Sequence, residues 1–173
     1  LNHYLAEKYA ESYDHSIPED LIYSGPHTLT EATEIDGVDV GKLILSPTRT
    51  YLPMMVPILH EFRKQINGII HCSGGAQTKV LHFTNKLHIV KDNMFALPPL
   101  FRMIQESSGT DWKEMYKVFN MGHRLEIYTN EKAAEEMIQI AKGFNIDAQI
   151  IGHVEDSEKK QLTIKSEFGT FEY

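Results

Sequence analysis

The stretch "HRLEIYTNEKAAEEMIQIAKGF", residues 123–144, passes from a strand into a helix, and that succession decides the fold class. "HRLEIYT" reads as a strand. "NEKAAEEMIQIAKGF" is the clearest helix of the chain: Asn130 caps it, Glu131 suits the positive end of the helix dipole, and Gly143 stops it. Ala134, Met137, Ile138 and Ala141 form an apolar stripe, which marks a face turned to a core rather than a cofactor box.

Working outward, the same two periods recur. "TYLPMMVPILHEFRKQI", residues 50–66, carries Leu52, Val56, Ile58, Leu59, Phe62 and Ile66 on a helical period. Pro53 suits a first helical turn, whereas Pro57 is expected to bend the helix or delay its start. "GIIHCS" reads as a strand and "KLHIVKD", residues 86–92, as another, with a short helix expected in "GGAQTKVLHFT" between them. "PPLFRMIQESSG" and "DWKEMYKVF" read as helices, the first opened by a proline pair and closed by Gly109. "NIDAQIIGHVED" and "KQLTIKS" are expected to complete a terminal strand pair. Strands alternating with helices, then two strands near the end, imply an α+β sandwich.

Upstream, residues 1–13 look helical, with Leu5, Tyr9 and Tyr13 four apart. Residues 14–47 are irregular, with turn signals at Ser-Gly-Pro and Asp-Gly. That is too long for a simple connector, so an arm packed on another domain or an insertion is expected there. The chain begins in the middle of a helical pattern, as an excised domain would.

The 173 residues suffice for one well-filled domain, with or without a peripheral arm. Against 17 basic side chains stand 24 acidic ones, a formal charge of -7 with no compensating basic stripe, which argues against nucleic-acid binding. No signal peptide opens the sequence, and no apolar run approaches a membrane span, so a cytoplasmic domain is expected. Cys72 is the only cysteine, which excludes an intrachain disulfide and a cysteine-based structural metal site. The nine histidines form no H-E-x-x-H helix, and no metal site is assigned.

Three short constellations can carry chemistry. "HCSGGAQTK", residues 71–79, has two adjacent glycines that expose backbone N–H groups, with Ser73, Thr78 and Lys79 able to support an anion. It lacks the spacing of a Walker A loop, and a purely structural turn is the competing reading. A Cys72/His71 catalytic pair is disfavoured, because adjacent strand residues point to opposite faces. "LSPTRTY", residues 45–51, puts Thr48 and Arg49 just before a helix, where Arg49 suits either a phosphate or carboxylate clamp or a plain salt bridge. "YKVFNMGHR", residues 116–124, places Asn120 and Gly122 at a helix-to-strand junction, a position where ligands often meet a sheet.

Taken together and in order, "LILSPTRTYLPMM", "INGIIHCSGGAQTKV", "PPLFRMIQESSGTDWKEMYKVFNMG" and "IIGHVE" resemble the C-terminal domain of the aminoimidazole ribonucleotide synthetases, the phosphoribosylformylglycinamidine cyclo-ligases of purine biosynthesis. The resemblance implies an α/β/α layered domain with partial ferredoxin-like topology over residues 43–173. Residues 1–42 would then be a helical start and arm leading from an N-terminal domain, the chain's expected partner. It also implies ATP-dependent ring closure of formylglycinamidine ribonucleotide in a homodimer. ATP would phosphorylate the formamide oxygen, with Mg²⁺ on its phosphates held mainly by the N-terminal domain.

By resemblance, His71 is the histidine of the family's His-x-Thr-Gly-Gly-Gly segment, followed here by Ser73, Gly74, Gly75 and Ala76. Thr48 and Arg49 stand in its Pro-Thr-Arg element, and Asn120 and Gly122 in its Phe-Asn-x-Gly element. These eight, without Ala76, are the expected substrate-binding or cleft-lining residues, and none is assigned a catalytic role. The sequence departs from the family at Ala76, which replaces a third glycine, and at His123 and Arg124, which break a Gly-x-Gly pattern. The isolated fragment is expected to be inactive. Competing readings are a related superfamily enzyme (formylglycinamidine ribonucleotide synthetase, selenophosphate synthetase, thiamine monophosphate kinase or a hydrogenase maturation factor) and a non-catalytic interaction domain.

Overall fold

The structure, a computed structural model, describes residues 1–47 and 49–173. It is an α+β fold whose described residues fall into two units, 1–47 with 99–110, and 49–98 with 111–173.

In the first unit the expected helix over 1–13 is interrupted. Helix α1 spans Tyr4–Lys8, and Tyr9 leaves the helical region at φ -134° before a 3₁₀ turn at Ala10–Ser12. Only Leu5 of α1 is buried, while Tyr4 and Tyr9 are exposed, so no apolar stripe holds a longer helix in place. The segment after it contains helix α2, Val40–Ile44, capped by Asp39, whose carboxylate accepts from the Lys42 N–H at 2.8 Å. The third helix of this unit, here αA, spans Pro99–Ser108 and ends at Gly109, whose φ of +66° is the left-handed conformation of a helix stop.

The second unit is built on three α-helices and two sheets. Helix α3, Leu52–Phe62, starts with Pro53 in its first turn and continues through Pro57. Asn130 caps the expected helix, here αB, Glu131–Gly143, with its side-chain oxygen 3.0 Å from the Ala133 N–H. Met54, Ile58 and Phe62 pack with Ala133, Met137 and Ala141 of αB, flanked by Leu125 and Ile127. The buried face of αB thus runs through Ala133 and is flanked by Ile140. That is one residue away from the expected Ala134 and two from Ile138, because α3 sets which side of the helix is covered. Leu52 and Val56, although on the apolar period, face outward, 66% and 59% exposed.

Strand β1, Gly68–His71, pairs antiparallel with Leu125–Tyr128, here βA, in the register Gly68↔Tyr128 to His71↔Leu125. The ladder continues one step, with the Cys72 N–H on the Arg124 carbonyl at 2.9 Å. The second sheet comprises β2 (Leu87–Lys91), βB (Gly152–Asp156), βC (Gln161–Ser166) and βD (Gly169–Glu172), in the order βB-β2-βC-βD. The expected terminal strand pair is therefore corrected. βB and βC do not pair with each other; β2 lies between them, antiparallel to βB and parallel to βC. The short link from Asp156 to Gln161 can bridge β2 because two inter-strand spacings amount to about 10 Å, within reach of five residues. Helix αC, Trp112–Val118, is capped by Asp111, and Trp112 stacks on Phe168 at 3.6 Å between ring centroids. Among the described residues no helix is long and apolar enough to cross a membrane.

Candidate functional site

Strand β1 ends by delivering His71 to the surface while its neighbours turn inward: Ile70 is buried and Cys72 is 2% exposed. Alternation along the strand thus separates imidazole and thiol, as expected. Burial, reinforced by the Glu126 carboxylate, pushes the Cys72 thiol up to about 12, which suits a core residue and not a nucleophile.

Beyond the strand the chain folds into a tight turn. The Ser73 carbonyl accepts from the Ala76 N–H at 2.8 Å, and the Gly75 carbonyl accepts from both the N–H and the hydroxyl of Thr78 at 2.9 Å. A 3₁₀ helix over Ala76–His82 follows, the short helix expected there. Gly75 has φ +79° and Ala76 has φ +41°. Ala76 therefore adopts the left-handed conformation that favours glycine. Such a conformation costs an alanine about 1 kcal/mol, offset here by a methyl group that is completely buried. Lys79 reaches back over the turn, donating to the Ser73 hydroxyl at 2.7 Å and to the His71 carbonyl at 3.0 Å.

A second turn lies beside the first. The Asn120 side-chain oxygen accepts from the Gly122 N–H at 3.0 Å, with Met121 at φ +53° and Gly122 at φ +93°. A Cβ on Gly122 would stand 2.9 Å from Pro98 Cγ, so glycine is required there by space as well as by φ. The Gln77 amide donates to the Asn120 carbonyl at 2.6 Å, which ties the two turns together.

Under both turns lies a buried polar set. Lys91, 1% exposed, donates to the Gln77 backbone carbonyl and side-chain oxygen at 2.9 Å each, and to Glu126 Oε1 at 2.6 Å. Tyr128 donates its hydroxyl to Glu126 Oε2 at 2.7 Å, and burial together with that carboxylate raises its ionisation well above the ordinary tyrosine range. His123 is 3% exposed, and its Nε2 accepts from the Phe95 N–H at 3.1 Å, which requires a neutral ring. Burial pushes His123 down to about 4, with Glu126 opposing and Lys91 assisting.

A folded-state value below the ordinary one means that the unfolded chain binds the proton more tightly. Stability contributed by neutral His123 is therefore complete above about pH 6.5 and is lost as the pH falls towards 4. The loss is of the order of 3 kcal/mol by linkage. Urea unfolding of wild type and His123→Gln at pH 7.5 and pH 4.5 is the check: the wild-type midpoint falls more steeply, and parallel curves would refute the assignment.

Of the residues expected at the site, His71, Ser73, Gly74 and Gly75 form one turn, and Asn120 and Gly122 the turn bonded to it. Arg49 is not joined to either by a bond; its guanidinium donates to the Asn145 carbonyl at 3.4 Å, past the end of αB. Thr48 lies outside the described residues. Sequence reasoning missed Gln77, Lys91, Glu126 and Tyr128. No local pattern marks them, because their partners are 14 and 35 residues away from Lys91. Among the described residues no three His, Cys, Asp or Glu side chains converge on a metal position. Backbone N–H groups, a hydroxyl and a lysine at the first turn fit an anionic oxygen and not a cation. A cleft of about 380 Å³ lies at the carboxyl ends of parallel β2 and βC, lined by Asp92, Phe95, Tyr116, Lys165 and Ser166 among others.

The family described as AIR synthase related protein, C-terminal domain, matches residues 22–165. A phosphoribosylformylglycinamidine cyclo-ligase of Methanocaldococcus jannaschii is 32% identical over 121 residues, covering 70% of this chain and 35% of that protein. One from Methanococcus maripaludis is 33% identical over 139 residues, covering 79% of this chain and 39% of that protein. This chain thus spans little more than a third of the length of these curated relatives. Among solved structures, the hydrogenase maturation protein HypE of E. coli aligns with a TM-score of 0.51 at 18% identity, over 76% of this chain and 43% of HypE, a likeness of fold alone.

Proposed function

The chain belongs to the AIR synthase related proteins as their C-terminal domain, and from that premise we propose that it is the C-terminal part of a phosphoribosylformylglycinamidine cyclo-ligase. The whole protein would convert formylglycinamidine ribonucleotide and ATP to aminoimidazole ribonucleotide, ADP and phosphate in the cytoplasm, as a homodimer. The observation that carries the reading is the pair of bonded turns: an exposed His71 beside Ser73, Gly74 and Gly75, linked through Gln77 to Asn120 and Gly122. In this reading they bind the ribonucleotide. Lys79 supplies positive charge at the first turn, and His71 and Ser73 face the ligand's anionic oxygens.

Arg49 belongs to the same proposal as a cleft-lining residue whose contact with the Asn145 carbonyl yields to substrate, and Thr48 is proposed with it on the motif alone. Residues 1–42 would link to the N-terminal domain, and 43–173 would form the C-terminal α/β domain. By the resemblance to the cyclo-ligases, ATP and Mg²⁺ would be held mainly by the N-terminal domain.

Calorimetry on the full-length protein tests the reading. Wild type should bind formylglycinamidine ribonucleotide and turn it over with ATP, and His71→Ala should bind it about tenfold more weakly, the worth of a hydrogen bond to a charged group. Wild-type affinity and turnover in His71→Ala would remove His71 from the site. Turnover by residues 1–173 alone would remove the need for the other domain.

A further inference from the structure

Two turns can bind one ligand only if their separation is held. The first turn closes β1 and the second opens βA, and Cys72 and Arg124 mark the last ladder bond between the two chain segments. Past that point helix αC packs on the 3₁₀ helix that follows the first turn, and the side chain of Gln77 supplies the hydrogen bond from one turn to the other. It is completely buried, donates to the Asn120 carbonyl at 2.6 Å, and accepts from Lys91 at 2.9 Å. Lys91 in turn reaches the Gln77 carbonyl and Glu126, so one end of the link is anchored to β2 and the other end to βA.

We propose that Gln77, braced by Lys91 and Glu126, is a positioning residue that fixes the glycine turn against the Asn-x-Gly turn, and so sets substrate affinity without touching substrate. The amide is the one side-chain type that serves both contacts at this length. Its oxygen accepts from the ammonium while its nitrogen donates to a carbonyl. A glutamate would keep the first contact and set a carboxylate oxygen against the Asn120 carbonyl, while a methionine would fill the space and make neither. Both replacements leave Lys91 with the residue 77 carbonyl and Glu126, and leave the Asn120 carbonyl with the His123 N–H at 2.9 Å. In the methionine variant the Lys91 ammonium keeps two of its three acceptors and the Asn120 carbonyl keeps its backbone donor, so a folded protein is expected.

The inference rests on the proposed substrate site, and its test separates the two. Hydrogen exchange on the full-length protein without substrate reads the brace. In Gln77→Met and Gln77→Glu, the Gly122 and His123 amides, both bonded to Asn120, should exchange about tenfold faster, while the Cys72 and Asn67 amides of the β1–βA ladder keep their wild-type rates. Calorimetry with formylglycinamidine ribonucleotide then reads positioning. Both variants should bind about tenfold more weakly, while Gln77→Met still unfolds in a single cooperative urea transition. Unchanged exchange at Gly122 and His123, or equal acceleration at all four amides, overturns the brace. Faster local exchange with wild-type affinity overturns the positioning role. Failure of wild type to bind the ribonucleotide sinks the proposed function instead, and the exchange arm still decides the brace.

Discussion

Gly152→Ala is expected to cost about 4 kcal/mol or more, a loss reserved for a few kinds of substitution. Gly152 sits opposite Lys91 in the antiparallel pairing of βB with β2. A Cβ there would overlap the Val90 carbonyl oxygen, and would stand 2.8 Å from the Val90 carbonyl carbon and 2.9 Å from the Lys91 Cα. All three atoms are backbone of a strand held on both sides, by βB and by βC, so no side chain can rotate away. Relief requires βB to lift from β2, breaking the ladder that crosses from Gly152 to Asp156. Urea unfolding followed by far-ultraviolet circular dichroism measures the loss. Gly143→Ala is the control, because nothing lies within 4 Å of its Cβ position at the end of αB and its effect should stay within about 1 kcal/mol. A Gly152→Ala midpoint equal to that of the control would refute the pairing described.

The difference between these two glycines also separates what could be read from the sequence and what could not. Asn130 was legible as a cap and so was the helix it opens, because period and cap are local signals, while Gly143, expected as the stop, is the last helical residue and the left-handed turn falls at Asn145, φ +54°. Gly152 carried no such signal, since what fills the space beside it is a strand some sixty residues earlier in the chain. The same reason explains the misread strand pair. βB and βC are near neighbours in sequence and look like a hairpin, yet β2 takes the place between them and buries Ile89, Val90 and Lys91. Helix α2 went unseen because five residues are too few to show a period. βD, four residues that open with Gly169 at φ +132°, went unseen for the same want of length.

At the site, the residues with a motif were legible and those holding them were not. His71, Ser73, Gly74, Gly75, Asn120 and Gly122 lie in two short runs that the structure joins. Ala76 shows how a departure from a family pattern can leave geometry intact, since it holds φ +41° with its methyl inside. Lys91 had no legible role. A lysine at the end of "HIVK" reads as a solvated strand end, and only the sheet order and a glutamate on βA bury it.

That burial makes Lys91→Met the second large loss, expected at about 3–5 kcal/mol. The lysine is bonded to three acceptors and Glu126 is 4% exposed at its side chain. Removing the ammonium leaves a carboxylate in the interior with neutral neighbours only, the Tyr128 hydroxyl and the Cys72 thiol among them. The cost comes from that stranded charge more than from the lost attraction, which a double variant separates. Lys91→Met with Glu126→Leu takes both charges out and should recover about half of the loss. Full recovery is not expected. Tyr128 then loses the acceptor of its hydroxyl and Gln77 the donor to its side-chain oxygen, groups whose orphaning costs about 1–3 kcal/mol each. Adding Tyr128→Phe should return a further part, because it removes one orphan without opening a cavity. Urea unfolding of wild type, Lys91→Met, Glu126→Leu and the double variant forms a cycle in which Lys91→Met is less stable than the double variant, and the triple variant is compared with the double. If Lys91→Met alone stays within about 1 kcal/mol of wild type, the interior at Glu126 is wetter than a 4% exposed carboxylate implies, and the brace under the two turns loses its anchor.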